Sequence, residues 1–276
     1  MKFKKLIFML IFLFAFPLTA SSNEKNFSIM CSLFPVYDFA KEVAKDYAEI
    51  NLILRPGVEP HEFEPSPLDI KKLNDADVFI FTGRYMEEWA EKFSRSLKNT
   101  LVIDASENVK IFHKDPHIWL DLSNAQEMVM NIAEGLAKAK PEYKEIFYEN
   151  AKNYCEKLSE LDAKFMSLDK NKTLVFAGEF TFNYFIRRYN FNYISAYDGE
   201  NEPSIKKMAE ILKFIKDNDV KYIFADAFGI SNITHSISEQ TGTEILIFNS
   251  MERAAEGSFL EIMQKNYNSL RQFIDD

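Results

Sequence analysis

Short apolar runs alternate with segments of helical periodicity in two separate stretches of this chain, and this alternation restricts the fold more than any other feature. Residues 27–33 form an apolar strand, residues 36–48 place Val36, Phe39, Val43 and Tyr47 on one helical face, and residues 51–54 read as a second strand. A loop at 55–67, rich in proline and bearing a glycine, leads to a helix at 68–74, a strand at 78–82, a helix at 86–97 and a strand at 101–104. The second stretch repeats the scheme, with strands at 173–177, 191–196, 222–225 and 244–248 and helices at 181–189, 204–217, 231–240 and 256–273. Such alternation predicts parallel sheets covered by helices on both faces. The expected class is therefore α/β, and 276 residues suffice for two lobes with a core each.

Between the two stretches, residues 124–139 and 141–168 are helical in pattern, interrupted only by Gly135 and Pro141. Pro141 suits the first turn of a new helix, which would run about 40 Å. Such a helix can span both lobes or pack along the edge of one. The expected division is a leader at 1–22, a first lobe at 23–140, a connecting helix at 141–168 and a second lobe at 169–276.

The leader is expected because Lys2, Lys4 and Lys5 precede an unbroken apolar run at 6–16, and Pro17-Leu18-Thr19-Ala20 leads into small polar residues. This is the pattern of a cleavable secretory signal, with cut sites near Ala20 to Ser22. Removing residues 1–20, which hold three lysines and no acid, takes the formal charge from −9 to −12. Nucleic acid and anionic membranes become poor partners, and cations better ones. Cys31 and Cys155 are far apart in the chain, and Cys31 lies beyond the cleavage region, which argues against lipid attachment there. One disulfide is conceivable but has no sequence support.

Of four histidines, His61 and His117 stand out, each in a proline-stiffened loop after a strand; His113 and His235 do not. Open α/β folds place ligands at the carboxyl ends of parallel strands, where both loops fall. Glu179 follows strand 173–177, and Glu252 follows strand 244–248 on the matching edge of the second half. Singly, each has an ordinary explanation, such as a surface imidazole, an acid at a helix start or a solvated loop charge. Together they offer the nitrogen and oxygen donors that first-row divalent ions take.

Pro56-Gly57-Val58-Glu59-Pro60-His61-Glu62-Phe63-Glu64-Pro65-Ser66-Pro67 and Asp115-Pro116-His117-Ile118-Trp119-Leu120-Asp121 resemble, in order and separation, the first two ligand loops of the metal-binding solute-binding proteins of bacterial ABC importers, the zinc and manganese group. The resemblance continues through Ser32-Leu33-Phe34-Pro35-Val36-Tyr37-Asp38, Tyr184-Phe185-Ile186-Arg187-Arg188-Tyr189, Glu202-Pro203-Ser204 and Glu239-Gln240-Thr241-Gly242. It implies a two-lobed binding protein in the periplasm that takes one ion in the interlobe cleft and delivers it to a membrane permease driven by an ATPase. By position it implies His61, His117, Glu179 and Glu252 as metal ligands, with Asp226 competing with Glu252 for the fourth place. It also implies that 141–168 is a rigid interlobe connector and that the protein is a monomer. Leu122 departs from the proline common at that point in the family, and the His-rich collecting loop of many zinc-specific members is absent, since only His113 lies between His61 and His117.

The resemblance leaves the cargo open between zinc and manganese, with iron(II) behind both. Glutamate at position 179 leans towards manganese, whereas Tyr193-Ile194-Ser195-Ala196-Tyr197 and Glu202-Pro203-Ser204 look like zinc-type relatives. Affinity does not separate them, because zinc outbinds manganese in any nitrogen/oxygen site. A metallohydrolase is the competing class. His61-Glu62-Phe63-Glu64-Pro65 lacks the second histidine four residues on, and its prolines forbid the helix a metalloprotease motif needs. A metal-binding surface adhesin on the same fold is the third reading.

Overall fold

A computed structural model of the chain describes residues 27–55, 58–178, 180–197, 203–228, 230–253 and 256–276. The expected leader lies outside the described residues, as does Glu179. The first lobe contains β1 (Ser28–Cys31), α1 (Phe34–Ala44), β2 (Glu49–Leu52), α2 (Pro67–Asp75), β3 (Val78–Phe81), α3 (Glu88–Ser94) and β4 (Leu101–Asp104). Two long helices follow, α4 (Leu122–Ala139) and α5 (Lys144–Met166). The second lobe contains β5 (Thr173–Phe176), α6 (Asn183–Tyr189), β6 (Asn192–Ser195), α7 (Ile205–Asp217), β7 (Tyr222–Ala225), α8 (Asn232–Thr241), β8 (Glu244–Ile247) and α9 (Phe259–Asp275). The α/β expectation holds. Both sheets are parallel and have the same order, β2-β1-β3-β4 and β6-β5-β7-β8. No described helix is long and apolar enough to cross a membrane.

Position in the sheet explains the strand patterns. β3, Val-Phe-Ile-Phe, is buried at every residue because it is covered on both faces, whereas edge strand β2 alternates between exposed and half-buried. β2 starts two residues earlier than hydrophobicity suggests. Its start is set by pairing with β1, through the Glu49 amide on the Phe27 carbonyl at 2.8 Å, while Ile53 and Leu54 pass out of the strand into the core. α1 ends at Ala44, where Lys45 takes a φ of +48°, so Tyr47 leaves the helical face and is 39% exposed. Pro141 opens a single 3-10 turn, Pro141–Tyr143, and the α-helical hydrogen bonding of α5 begins only after it.

α5 reaches both lobes. Near its start Phe147 packs edge-on to Tyr47, Tyr154 sits 6.2 Å from the Phe39 ring of α1, and near its end Phe165 meets Phe185 and Tyr189 of α6 and Tyr267 of α9. α9 also crosses between lobes. Its Phe259 ring lies 4.7 Å from Phe39, and the Phe259 amide donates to the buried carboxylate of Asp38 at 3.0 Å. One hydrophobic core consequently runs from β1 through α4 and α5 to an aromatic cluster of Phe176, Phe182, Phe185, Phe224 and Phe248 in the second lobe. A smaller core under α7 and α8 holds Val175, Ile211, Ile215, Ile223 and Ile237. Cys31, fully buried in β1, and Cys155, half-buried on α5, are free thiols.

Candidate metal centre

Each histidine loop is anchored on both sides of its imidazole. In the first, a turn closes from the Phe63 amide to the Pro60 carbonyl, and Phe63 is buried with its ring 5.5 Å from Trp89. Ser66 then caps α2 in a reciprocal capping box with Asp69, so the chain leaves the loop in a set direction. In the second, Asp115 folds back two residues in an Asx-type turn, accepting the His117 amide at 3.0 Å and its Nδ1 at 2.7 Å through the same oxygen. Ile118, Trp119 and Leu120 form a buried 3-10 turn behind the imidazole. Asn183, the first residue of α6, holds the other Asp115 oxygen at 3.0 Å, bringing the second lobe into the support of His117.

The loop after β8 approaches from that lobe. Asn266 of α9 bonds both the amide and the carbonyl of Asn249, and the Ser250 carbonyl accepts Trp119 Nε1 at 2.7 Å across the lobes. Met251, fully buried, takes a φ of +61°, a conformation side chains rarely adopt, and its amide is held by Asn249 Oδ1 at 2.7 Å. This turn points Glu252 at the histidines. Glu252 Oε1 lies 2.8 Å from His61 Nε2 and 2.9 Å from His117 Nε2, and one donor atom from each residue falls within a 4.8 Å set.

Asp226 is placed differently. Its two oxygens accept the Phe228 amide at 2.9 Å and the Ser250 amide at 2.7 Å, so it supports the loop that carries Glu252 and stands outside the three-residue cluster. Burial raises its carboxyl pKa.

An ionised carboxylate only accepts hydrogen bonds, so both Nε2 atoms facing Glu252 donate, and His117 donates from Nδ1 to Asp115 as well. Burial opposes a charge on His117, but the bonds to Asp115 and Glu252 outweigh it and push its pKa up to about 9. Burial likewise works against the Glu252 carboxylate, and the two imidazoles more than compensate, holding it well below the usual range. The cluster therefore concentrates two nitrogens and a strongly acidic carboxylate at a point where a cation can replace protons.

The sequence reading singled out both histidines and Glu252, but gave no role to Asp115, Trp119, Asn183 or the Glu59–Arg253 ion pair that the structure adds. Asp115 and Glu59 shared a local signal, an acid two residues before histidine across a proline.

A family profile described as the zinc-uptake complex component A, periplasmic, matches residues 29–273. The chain belongs to that family. Within it, the zinc-binding lipoprotein AdcA of Streptococcus pneumoniae is 31% identical over 99% of this chain and 61% of its own length. The chain thus spans about three-fifths of that relative. The high-affinity zinc uptake system protein ZnuA of Bacillus subtilis is 25% identical, with 92% of this chain and 89% of that protein aligned. Among solved structures, the Zn(II)-bound ZnuA-like domain of S. pneumoniae AdcA superposes with a TM-score of 0.79 at 31% identity, covering 91% of this chain and all of that one. The laminin-binding protein of Streptococcus agalactiae, described as bifunctional with adhesin and metal-transporting activity, superposes at 0.81 with 29% identity, covering 90% and 99%.

Proposed function

We propose that this chain is the extracytoplasmic binding component of an ABC importer, capturing one divalent transition-metal ion between its lobes and passing it to a membrane permease coupled to an ATPase. One observation carries the reading. A single oxygen of Glu252, from the second lobe, sits within 2.9 Å of the Nε2 atoms of two first-lobe histidines. His61, His117 and Glu252 are three ligands, and Glu179, three residues after β5 in sequence, is the fourth. Asp115 orients His117 through its second nitrogen, as carboxylates behind metal-bound imidazoles commonly do.

Zinc is the cargo this reading favours over manganese, because the family, AdcA and ZnuA are named for zinc and because two imidazoles with two monodentate carboxylates satisfy tetrahedral zinc. Four protein ligands also leave no position open for the water that a hydrolase would activate. The chain divides functionally into an export leader at 1–22, lobes at 23–140 and 169–276, and the connector at 141–168, and it works as a monomer.

Calorimetric titration after chelation should show one zinc per chain in the wild type. His61→Ala and His117→Ala should each lose tight binding, and His235→Ala should keep it. A wild type that takes up neither zinc nor manganese overturns the reading.

A further inference from the structure

Arg253 follows Glu252 directly, and Glu59 stands two residues before His61. The Arg253 guanidinium pairs with Glu59 Oε2 across the lobes, while Glu59 Oε1 accepts the His61 amide at 3.4 Å. One carboxylate thus joins the loop that carries the first imidazole to the loop that carries the opposing carboxylate. The two side chains are 33% and 28% exposed, against 25% for His61, 15% for Glu252 and 9% for His117, which places the pair beside His61 on the solvent-facing side of the cluster. Each loop has a further anchor of its own. Phe63 anchors the first, and Asn266 and Asp226 anchor the second.

We propose that Glu59 and Arg253 form a latch over the mouth of the metal centre that slows departure of the ion. The inference rests on the reading of His61, His117 and Glu252 as ligands. For the ion to leave, one ligand loop must move away from the other, and that movement separates the pair. The two residues position the loops and do not touch the ion. Their charges also act unequally on it. Without Glu59, an uncompensated guanidinium faces the incoming cation; without Arg253, an uncompensated carboxylate attracts it.

Zinc-loaded wild type, Glu59→Gln, Arg253→Gln, Arg253→Lys and the charge-exchanged double variant Glu59→Arg/Arg253→Glu can be mixed with excess chelator in a stopped-flow instrument at low and high salt. Both glutamine variants should release zinc about fivefold faster at low salt, the order expected for a partly exposed ion pair. Capture should slow for Glu59→Gln and should not slow for Arg253→Gln, an asymmetry that a general loosening of the fold does not produce. The lysine and charge-exchanged variants should release more slowly than the glutamine variants, and added salt should speed the wild type more than the glutamine variants. Release at the wild-type rate from both glutamine variants, each still binding one zinc, overturns the latch. A wild type that binds no metal overturns the underlying reading and the latch with it.

Discussion

His117 links the chemistry of the centre to pH. Its imidazole donates from both nitrogens, to Asp115 and to Glu252, and its pKa is pushed up to about 9 from the ordinary 6.5. A metal on Nε2 must displace that proton, so zinc affinity should rise about tenfold per pH unit from pH 7 towards 9, with about one proton released per ion. Titration in buffers of different ionisation enthalpy measures both quantities; an affinity flat from pH 7 to 9 would contradict the hydrogen bonds seen here. In chelated protein the sign reverses. A raised imidazole pKa contributes stability in full below about 6.5 that is lost as pH passes through about 9, while the depressed Glu252 carboxylate contributes above about 4.5 and fades at lower pH. Metal-free protein should therefore lose thermal stability from pH 6.5 to 9. Asp115→Asn should weaken zinc binding about ten- to a hundredfold while the fold persists. At this scale the histidines were legible because proline-stiffened loops after strands are rare. The choice between Glu252 and Asp226 was not, since both acids follow strands on one sheet edge and differ only in what their side chains meet.

Among the elements, α4 gives the sharpest test. Gly135 lies mid-helix, where alanine would ordinarily gain about 1 kcal/mol. A Cβ at this position would sit 2.3 Å from Ile103 Cδ1 and 2.6 Å from its Cγ1, because α4 packs directly onto β4. Overpacking of this kind costs about 1–3 kcal/mol, so it should outweigh the gain in propensity. Gly135→Ala should lower the urea midpoint and leave one zinc bound per chain; a raised midpoint would show that Ile103 moves aside freely. The periodicities revealed every strand and helix described above, and their ends were missed by a few residues. Those ends depend on partners distant in sequence, as when β1 sets the start of β2, or on a backbone turn such as Lys45, which hydrophobic spacing does not encode.

For the whole molecule, the continuous core beneath both lobes argues against wide hinge closure. α5 and α9 each pack on both lobes, and separating them would expose Phe39, Phe165 and Phe259 together. Solution scattering with and without zinc should show a radius of gyration that changes by about 1 Å or less, as for other preorganised sites; a contraction of several ångströms would refute this. The sequence alone determined the α/β class, the presence of two sheets and the two histidine loops, because hydrophobic periodicity and proline placement act over a few neighbouring residues. Tertiary structure decided which acid faces the imidazoles, that Asp115 and Asn183 stand behind His117, and that Arg253 reaches Glu59. Apart from the local bond of Asp115 to His117, those contacts join residues 68 to 194 positions apart, and only packing of one lobe on the other brings them within a hydrogen bond's length.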